Sequence, residues 1–211
     1  MKGPVKGRAR REAIISLVPP GRTVVEVGCD HGHTARALGA IGTERRTHRL
    51  PQYRDFRLVV ADGLQCFRAV DVAIIAGIGA WQIGRILREG PRPRVAIVHA
   101  PDRPVWLRRW CADNGWRIDA ERLAPEGRRF AEVMRVIPGH EEHRGLQLDF
   151  GPCLVGEPLI RDHAAQLLEY WSSVLKHVRE RNPAKAQQAR VWRSFLQHFL
   201  ATGSTGGAPP V

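Results

Sequence analysis

The chain has 211 residues, 43% of them apolar, enough to bury one good-sized α/β domain and a small appendage. Its formal net charge of +12 predicts an anionic partner. Nucleic acid is the most economical choice, with an acidic membrane surface or simple solubility as the alternatives. Four scattered cysteines, Cys29, Cys66, Cys111 and Cys153, form no Cys-x-x-Cys pair, which argues against a zinc knuckle or a disulfide framework and suits a reduced cytoplasm. The apolar run 13–18 is cut off by Pro19-Pro20 before it could serve as a signal or membrane-spanning segment, so a soluble cytoplasmic protein is expected.

Residues 7–17 predict a basic amphipathic helix, with Ala13, Ile14 and Leu17 on one face and arginines on the other. The stretch Val24-Val25-Glu26-Val27-Gly28-Cys29-Asp30-His31-Gly32-His33 follows. Its β-branched valines favour a strand buried on both faces, and Gly28 and Gly32 let the backbone turn beside a ligand. The acid-x-Gly-x-x-x-Gly spacing puts Asp30 where a dinucleotide fingerprint needs glycine. S-adenosylmethionine suits it better, because a cationic sulfonium and amino group favour nearby carboxylates over a pyrophosphate nest. A strand-turn-helix that holds no ligand is the alternative.

A helix over 34–40 points its N-terminal amides at that loop, and 40–44 reads as a short second strand ending on Glu44, where such folds hold a ribose. Residues 45–56 are basic and proline-broken, with no helical period where a crossover helix belongs. Strands are predicted over 58–64 (with its turn), 70–77 and 94–99, and helices over 77–88 and 105–114, the second closed by Gly115. Residues 116–123 and 130–137 read as an antiparallel hairpin. This order describes the class I methyltransferase architecture: a Rossmann-like, mostly parallel seven-stranded sheet with a terminal antiparallel hairpin.

Beyond residue 150 the composition changes. Leu159, His163, Leu167, Trp171, Leu175 and Val178 recur at helical spacing, Asn182-Pro183 breaks the run, and Val191, Trp192, Phe195, Leu196 and Phe199 continue it on a second helix. The expected organisation is a methyltransferase domain over 1–150, a C-terminal helical hairpin over 151–202, and a Gly/Ser/Pro-rich disordered tail over 203–211. No internal repeat is evident.

The glycine loop, the strand Ile74-Ile75-Ala76-Gly77-Ile78-Gly79, the Leu107-Arg108-Arg109-Trp110 helix, Asn114-Gly115-Trp116 and Gly151-Pro152-x-Leu154 form an ordered series. In that order they resemble the bacterial tRNA (adenine(22)-N1)-methyltransferases. The resemblance implies S-adenosylmethionine as donor, tRNA as substrate, transfer to N1 of an adenine, and a helical C-terminal extension. By position, Glu26, Gly28, Asp30, His31 and Gly32 match the family's D-x-G-x-D-H-A loop, with Glu and Gly as departures. Gly77 and Gly79 match I-A-G-M-G-G. Asp62, Gly63 and Leu64 match the G-D-G-L turn, whose acid would hydrogen-bond the cofactor's adenine amino group. Residues 98–102 match the segment ending L-Q-P-N, without its glutamine.

Asp30 is the candidate for stabilising positive charge on the methylated ring; its structural alternative is a turn acid capping the next helix. Glu44 is the candidate for the ribose hydroxyls, or a solvated surface acid. Asp30, His31 and His33 lack further ligands, so no metal is assigned. Trp106, Trp110 and Trp116 read as core residues beside exposed Arg103, Arg108 and Arg109, with stacking and clamping of RNA as the alternative. The N-terminal helix with Arg45, Arg46, His48 and Arg49 is the candidate phosphate-binding surface. The missing glutamine and the short 45–56 segment leave a second reading open, a non-catalytic RNA-binding protein with this fold; a methyltransferase for another substrate is the third.

Overall fold

The computed structural model describes residues 7–46, 55–178 and 182–205. His48, Arg49, most of the 45–56 segment and all but the first three residues of the expected tail lie outside them. The chain opens with helix α1 (Arg8–Ser16), whose Ala13 and Ile14 are buried, as its amphipathic spacing predicts. It continues through β1 (Val24–Val27), α2 (His33–Leu38), β2 (Ile41–Glu44), β3 (Leu58–Val60), β4 (Val72–Ala76), α3 (Ala80–Glu89), β5 (Val95–His99) and α4 (Pro104–Asp113). The long hairpin β6 (Trp116–Glu126) and β7 (Arg129–Pro138) follows, then α5 (Gly145–Phe150), α6 (Ile160–Val178) and α7 (Pro183–Thr202).

The seven strands among the described residues form one sheet in the order β3-β2-β1-β4-β5-β7-β6. β3, β2, β1, β4 and β5 run parallel, while β7 is antiparallel to both β5 and β6. Alternate residues of the central strands feed two apolar layers. Val25, Val27, Ala73, Ile75, Ala96 and Val98 pack under α3 and α4 with Ile83, Leu87 and Leu107. Val24, Val72, Ile74 and Ile97 pack under α1 and α2 with Ile14, Leu17 and Ala35. Ile74 and Ile75 are wholly buried on opposite faces, each contributing about 2 kcal/mol relative to exposure. The near-continuous apolarity of these strands is what burial on both faces requires.

The C-terminal helices close on each other and on the hairpin. Asn182 caps α7 by accepting from the Lys185 backbone N–H at 2.9 Å, with Pro183 at the first helical position. Trp171 of α6 and Trp192 of α7 stack at 5.7 Å between ring centroids and 7° between planes. The same apolar cluster takes in Leu123 of β6, Phe150 and Leu154, with Phe130 of β7 packed against it.

One expectation fails in the same region. Arg108, read as exposed, is wholly buried. Its Nε and Nη2 donate to Glu121 Oε1 at 2.9 and 2.7 Å, and its Nη1 lies 2.6 Å from Glu132 Oε2. Nη1 also donates to the Asp149 carbonyl at 3.2 Å. Burial alone would lower the pKa of this guanidinium, but the two carboxylates outweigh it and the net direction is upward. The hairpin brings both acids beneath α4, and nothing local in the sequence announces that. Trp116 is a core residue as expected, whereas Trp106 and Trp110 are only half-buried.

Arg108→Ala leaves Glu121 buried without its partner, so the expected loss of stability is about 3–5 kcal/mol. Arg94→Ala, whose side chain is largely exposed beside the partly exposed Asp71, is expected to cost under about 1 kcal/mol. Urea unfolding of both variants checks this, and equal midpoints would contradict it.

Candidate active site

Strand order reverses at β1, which has β2 on one side and β4 on the other. In open α/β sheets, ligands bind outside the carboxyl ends of the strands at such a reversal. Val27, the last residue of β1, pairs with Thr43 of β2 and Ile75 of β4. The turns after β1 and β4, and the acid that ends β2, therefore meet at one edge.

The loop after β1 folds toward β2 because the Gly28 and Cys29 backbone amides both donate to the Thr43 carbonyl, at 2.9 and 3.2 Å. Gly28 has φ +65°, and a Cβ there would meet no atom within 4 Å. Asp30 has φ +42° and is the one non-glycine residue with positive φ among the described residues. That conformation is costly for a residue with a Cβ, is best tolerated by Asp and Asn, and gathers at functional loops. The Asp30 carboxylate and the His31 ring are both largely exposed, 3.8 Å apart.

Gly32 shows why this loop departs from the family's alanine. Its φ is +65°, and a Cβ would lie 2.3 Å from the Phe56 ring; at Gly42 of β2 the same ring would be 2.6 Å away. Phe56 is wedged between the two glycines, with the Arg36 guanidinium 5.0 Å over its face. An aromatic side chain thus covers this part of the sheet beside the short 45–56 segment.

Glu26, the residue before the last in β1, accepts from the Ala35 backbone N–H at 2.7 Å and closes the first turn of α2, whose N-cap Gly32 has no side chain to do so. Burial pushes its carboxyl up to about 7, against hydrogen bonds from Thr34 and Ala35 and with the charge of Asp30 adding to the rise. Glu44 is buried at the end of β2, and its Oε1 accepts from the Arg46 backbone N–H at 2.9 Å. Its other oxygen has no hydrogen-bond partner among the described residues. Burial, with the charges of Glu26, Glu44 and Asp30, pushes the Cys29 thiol up to about 12. That places three carboxylates around one loop residue and removes the thiol as a nucleophile.

After β4, Gly77 has φ +78° with open space where a Cβ would be, and its N–H donates to the His99 carbonyl at 3.0 Å. Gly79 precedes α3, whose Ala80 N–H donates to Asp102 Oδ1 at 3.0 Å. Asp102, not singled out from the sequence as a site residue, thus ties the loop after β5 to the glycine turn. Its position in the aspartate-for-asparagine match at 98–102 was the available signal. Ala100, near the missing glutamine, is buried in the core. The turn after β3 carries the other three candidate residues. Asp62 is held by Arg85 of α3 at 2.9 Å, Gly63 lies against Ile86, and Leu64 is wholly buried. The Leu64 side chain is a core residue and offers the site only its backbone.

Among the described residues no group of three or more His, Cys, Asp or Glu side chains could hold a metal ion, and no helix is long and apolar enough to cross a membrane. A cavity lined by Arg36, Gly39, Ala40, Asp55, Phe56 and Arg57 opens on the β2 side. None of the acids at the strand ends lines it.

A sheet of this order, with acids at the carboxyl ends of β1 and β2, Glu26 one residue before the end of its strand and Glu44 at the end of its own, and glycine turns after β1 and β4, is that of a Rossmann-like class I methyltransferase. The profile of the TrmK family, tRNA (adenine(22)-N(1))-methyltransferase, matches residues 46–201. The chain belongs to that family. The matched range begins after the glycine loop, so the loop and its acids stand as independent observations.

A Mycoplasma pneumoniae protein provisionally named a tRNA methyltransferase is 25% identical over 206 residues, covering 86% of this chain and 94% of its own. The crystal structure of a Streptococcus pneumoniae protein provisionally described as a tRNA (m1A22) methyltransferase superposes with a TM-score of 0.77 at 25% identity. It covers 90% of this chain and 98% of its own. The Bacillus subtilis m1A22 tRNA methyltransferase TrmK shares the fold, with a TM-score of 0.73 at 18% identity over 94% of this chain and 100% of its own.

The Glu26 carboxyl makes a testable contribution. Its pKa is raised from the ordinary 4.5 to about 7 in the folded state, so its stabilising contribution is complete below about 4.5 and is lost as pH rises through about 7. Glu26→Gln keeps an acceptor for Ala35 and carries no charge. Relative to the parent chain, this variant is expected to gain stability between pH 5 and pH 8, read by urea unfolding at each pH; a difference that does not change with pH would contradict the assignment.

Proposed function

We propose that the chain transfers the methyl group of S-adenosylmethionine to N1 of adenine 22 in tRNA. The observation that carries this reading is the meeting of two acids near the ends of β1 and β2 with two open glycine turns at the strand-order reversal, in a chain of this family. The residues present fit the donor. Glu44 has one carboxylate oxygen without a partner among the described residues, suited to ribose hydroxyls. Glu26 and Asp30 set negative charge near a cationic amino group and sulfonium. Gly28 and Gly77 leave room for a ligand against the backbone. A crystal structure of the S. pneumoniae relative holds S-adenosyl-L-methionine, and one of Mycoplasma capricolum TrmK holds S-adenosyl-homocysteine.

When bound, S-adenosylmethionine supplies an electrophilic methyl group on a sulfonium that departs as a neutral thioether. The adenine N1 lone pair forms the new N–C bond as the C–S bond breaks. N1 carries no proton, so the chain needs no general base, and the alkylated ring becomes cationic. The work left to the protein is alignment, exclusion of water and stabilisation of that charge. Asp30, exposed on a strained turn between Glu26 and the start of α2, is the residue assigned in this reading to the last of these.

Residues 1–150 are read as the catalytic domain and 151–202 as a helical extension, with tRNA reached in the cytoplasm. In α1, Arg8 is engaged by Glu12 and Arg10 by Glu126. Arg11, Arg22 and Arg46 make no ion pair among the described residues and are the better candidates for phosphates.

Incubating the chain with a tRNA transcript and labelled cofactor, followed by nucleoside mass spectrometry, is expected to yield 1-methyladenosine. Asp30→Asn, which keeps a side chain tolerated at this positive φ and removes the charge, is expected to lower turnover by about 100-fold or more with an unchanged melting temperature. Label in another nucleoside would overturn the adenine assignment, and undiminished turnover in the variant would remove Asp30 from the chemistry.

A further inference from the structure

Trp81 is 62% exposed, the most exposed large apolar side chain among the described residues. It is the second residue of α3 and lies two positions after Gly79. Its indole stacks on Trp106 of α4 at 4.4 Å between centroids and 28° between planes. Trp106 in turn stacks on Trp110 at 6.5 Å. Trp110 approaches Gly84 of α3 so closely that a Cβ there would lie 3.0 Å from its ring. Trp106 and Trp110 are packed against the core beneath α3 and α4. The three rings form a ladder that starts in the core and ends in water, with one face of Trp81 backed by Trp106.

Burial does not explain the last rung, because an indole this exposed contributes little to folding. Its place is informative. α3 and α4 begin where β4 and β5 end, so the ladder emerges at the sheet edge that carries the glycine turns. Two exposed cations lie on the same two helices. Arg103 is the N-cap of α4, and Arg88 lies two turns from Trp81 on the same stripe of α3. Neither has an ion-pair partner among the described residues, whereas Arg85 and Arg109 nearby are held by Asp62 and Asp149. A stacking surface with uncommitted cations on the same two helices is the combination that binds unpaired nucleotides.

We propose that Trp81, backed by Trp106, is a stacking platform for an unpaired base of the tRNA beside the adenine being methylated, with Arg88 and Arg103 holding the flanking phosphates. The proposal rests on the tRNA reading above. N1 lies on the Watson–Crick edge of adenine, so the reacting base must leave pairing and stacking, and its neighbour loses a stacking partner. The indole replaces that partner. Trp81 is a positioning residue, since the methyl donor is expected at the β1 reversal and not against α3.

The test compares the full parent chain with Trp81→Ala and Trp81→Phe. Equilibrium binding of end-labelled tRNA is read by fluorescence anisotropy, alongside steady-state methyl transfer. Trp81→Ala is expected to raise both the Kd and the KM for tRNA by about tenfold or more, with kcat and cofactor affinity unchanged. Trp81→Phe is expected to restore most of the affinity. Arg103→Ala is expected to reduce the dependence of log Kd on log salt by about one, and Trp81→Ala to leave that slope alone.

Equal tRNA affinity in parent and alanine variant overturns the platform. If self-association is lost instead, the indole belongs to a contact between protein chains. A parent chain that binds tRNA without methylating adenine overturns the functional reading while the binding comparison still decides the platform. A parent chain that does not bind tRNA overturns both.

Discussion

The position of β1 between β2 and β4 governs this molecule. With neighbours on both sides running parallel to it, the connections that follow β1 and β4 leave the sheet in opposite directions, and their turns open a cleft at the carboxyl edge. Everything with chemical potential is placed by that reversal. Glu26 and Glu44 arrive there because they lie at or next to the ends of adjacent parallel strands, and Gly28 and Gly77 because they begin the turns that follow.

The edge is held open at a cost in stability, which other regions offset. Glu26 serves α2 as a capping acid while burial resists its ionisation. Asp30 occupies a backbone region that disfavours side chains. Against this, the far side of the sheet is locked by Arg108 with Glu121 and Glu132, and by aromatic packing of α6 and α7 on the hairpin. A strained, polar edge beside a rigid body is the arrangement expected where alignment of two bound partners is the main task.

Most of the sheet was legible because its signals are local. Runs such as Val24-Val25 and Ile74-Ile75 are β-branched and doubly buried, and the glycines that end them mark the turns. The loop acids were legible for the same reason. What stayed hidden depends on distant partners. Arg108 reads as a surface arginine until the hairpin supplies two carboxylates beneath it. Phe56 gives no hint that it will lie between Gly32 and Gly42. Leu64 belongs to a turn in sequence but to the core in space. Trp81 is one aromatic residue on an amphipathic helix, and only the approach of α4 turns it into the end of a ladder.

The central claim, that the strand-order reversal at β1 is where the methyl donor sits, is tested most directly by a crystal structure of the chain grown with S-adenosylhomocysteine. The account predicts the ligand at the carboxyl edge between β1 and β4, its ribose hydroxyls within hydrogen-bond distance of Glu44 and its amino group near Glu26 and Asp30. Ligand bound instead in the cavity lined by Arg36, Asp55 and Phe56, with the edge of β1 filled by water, would contradict it.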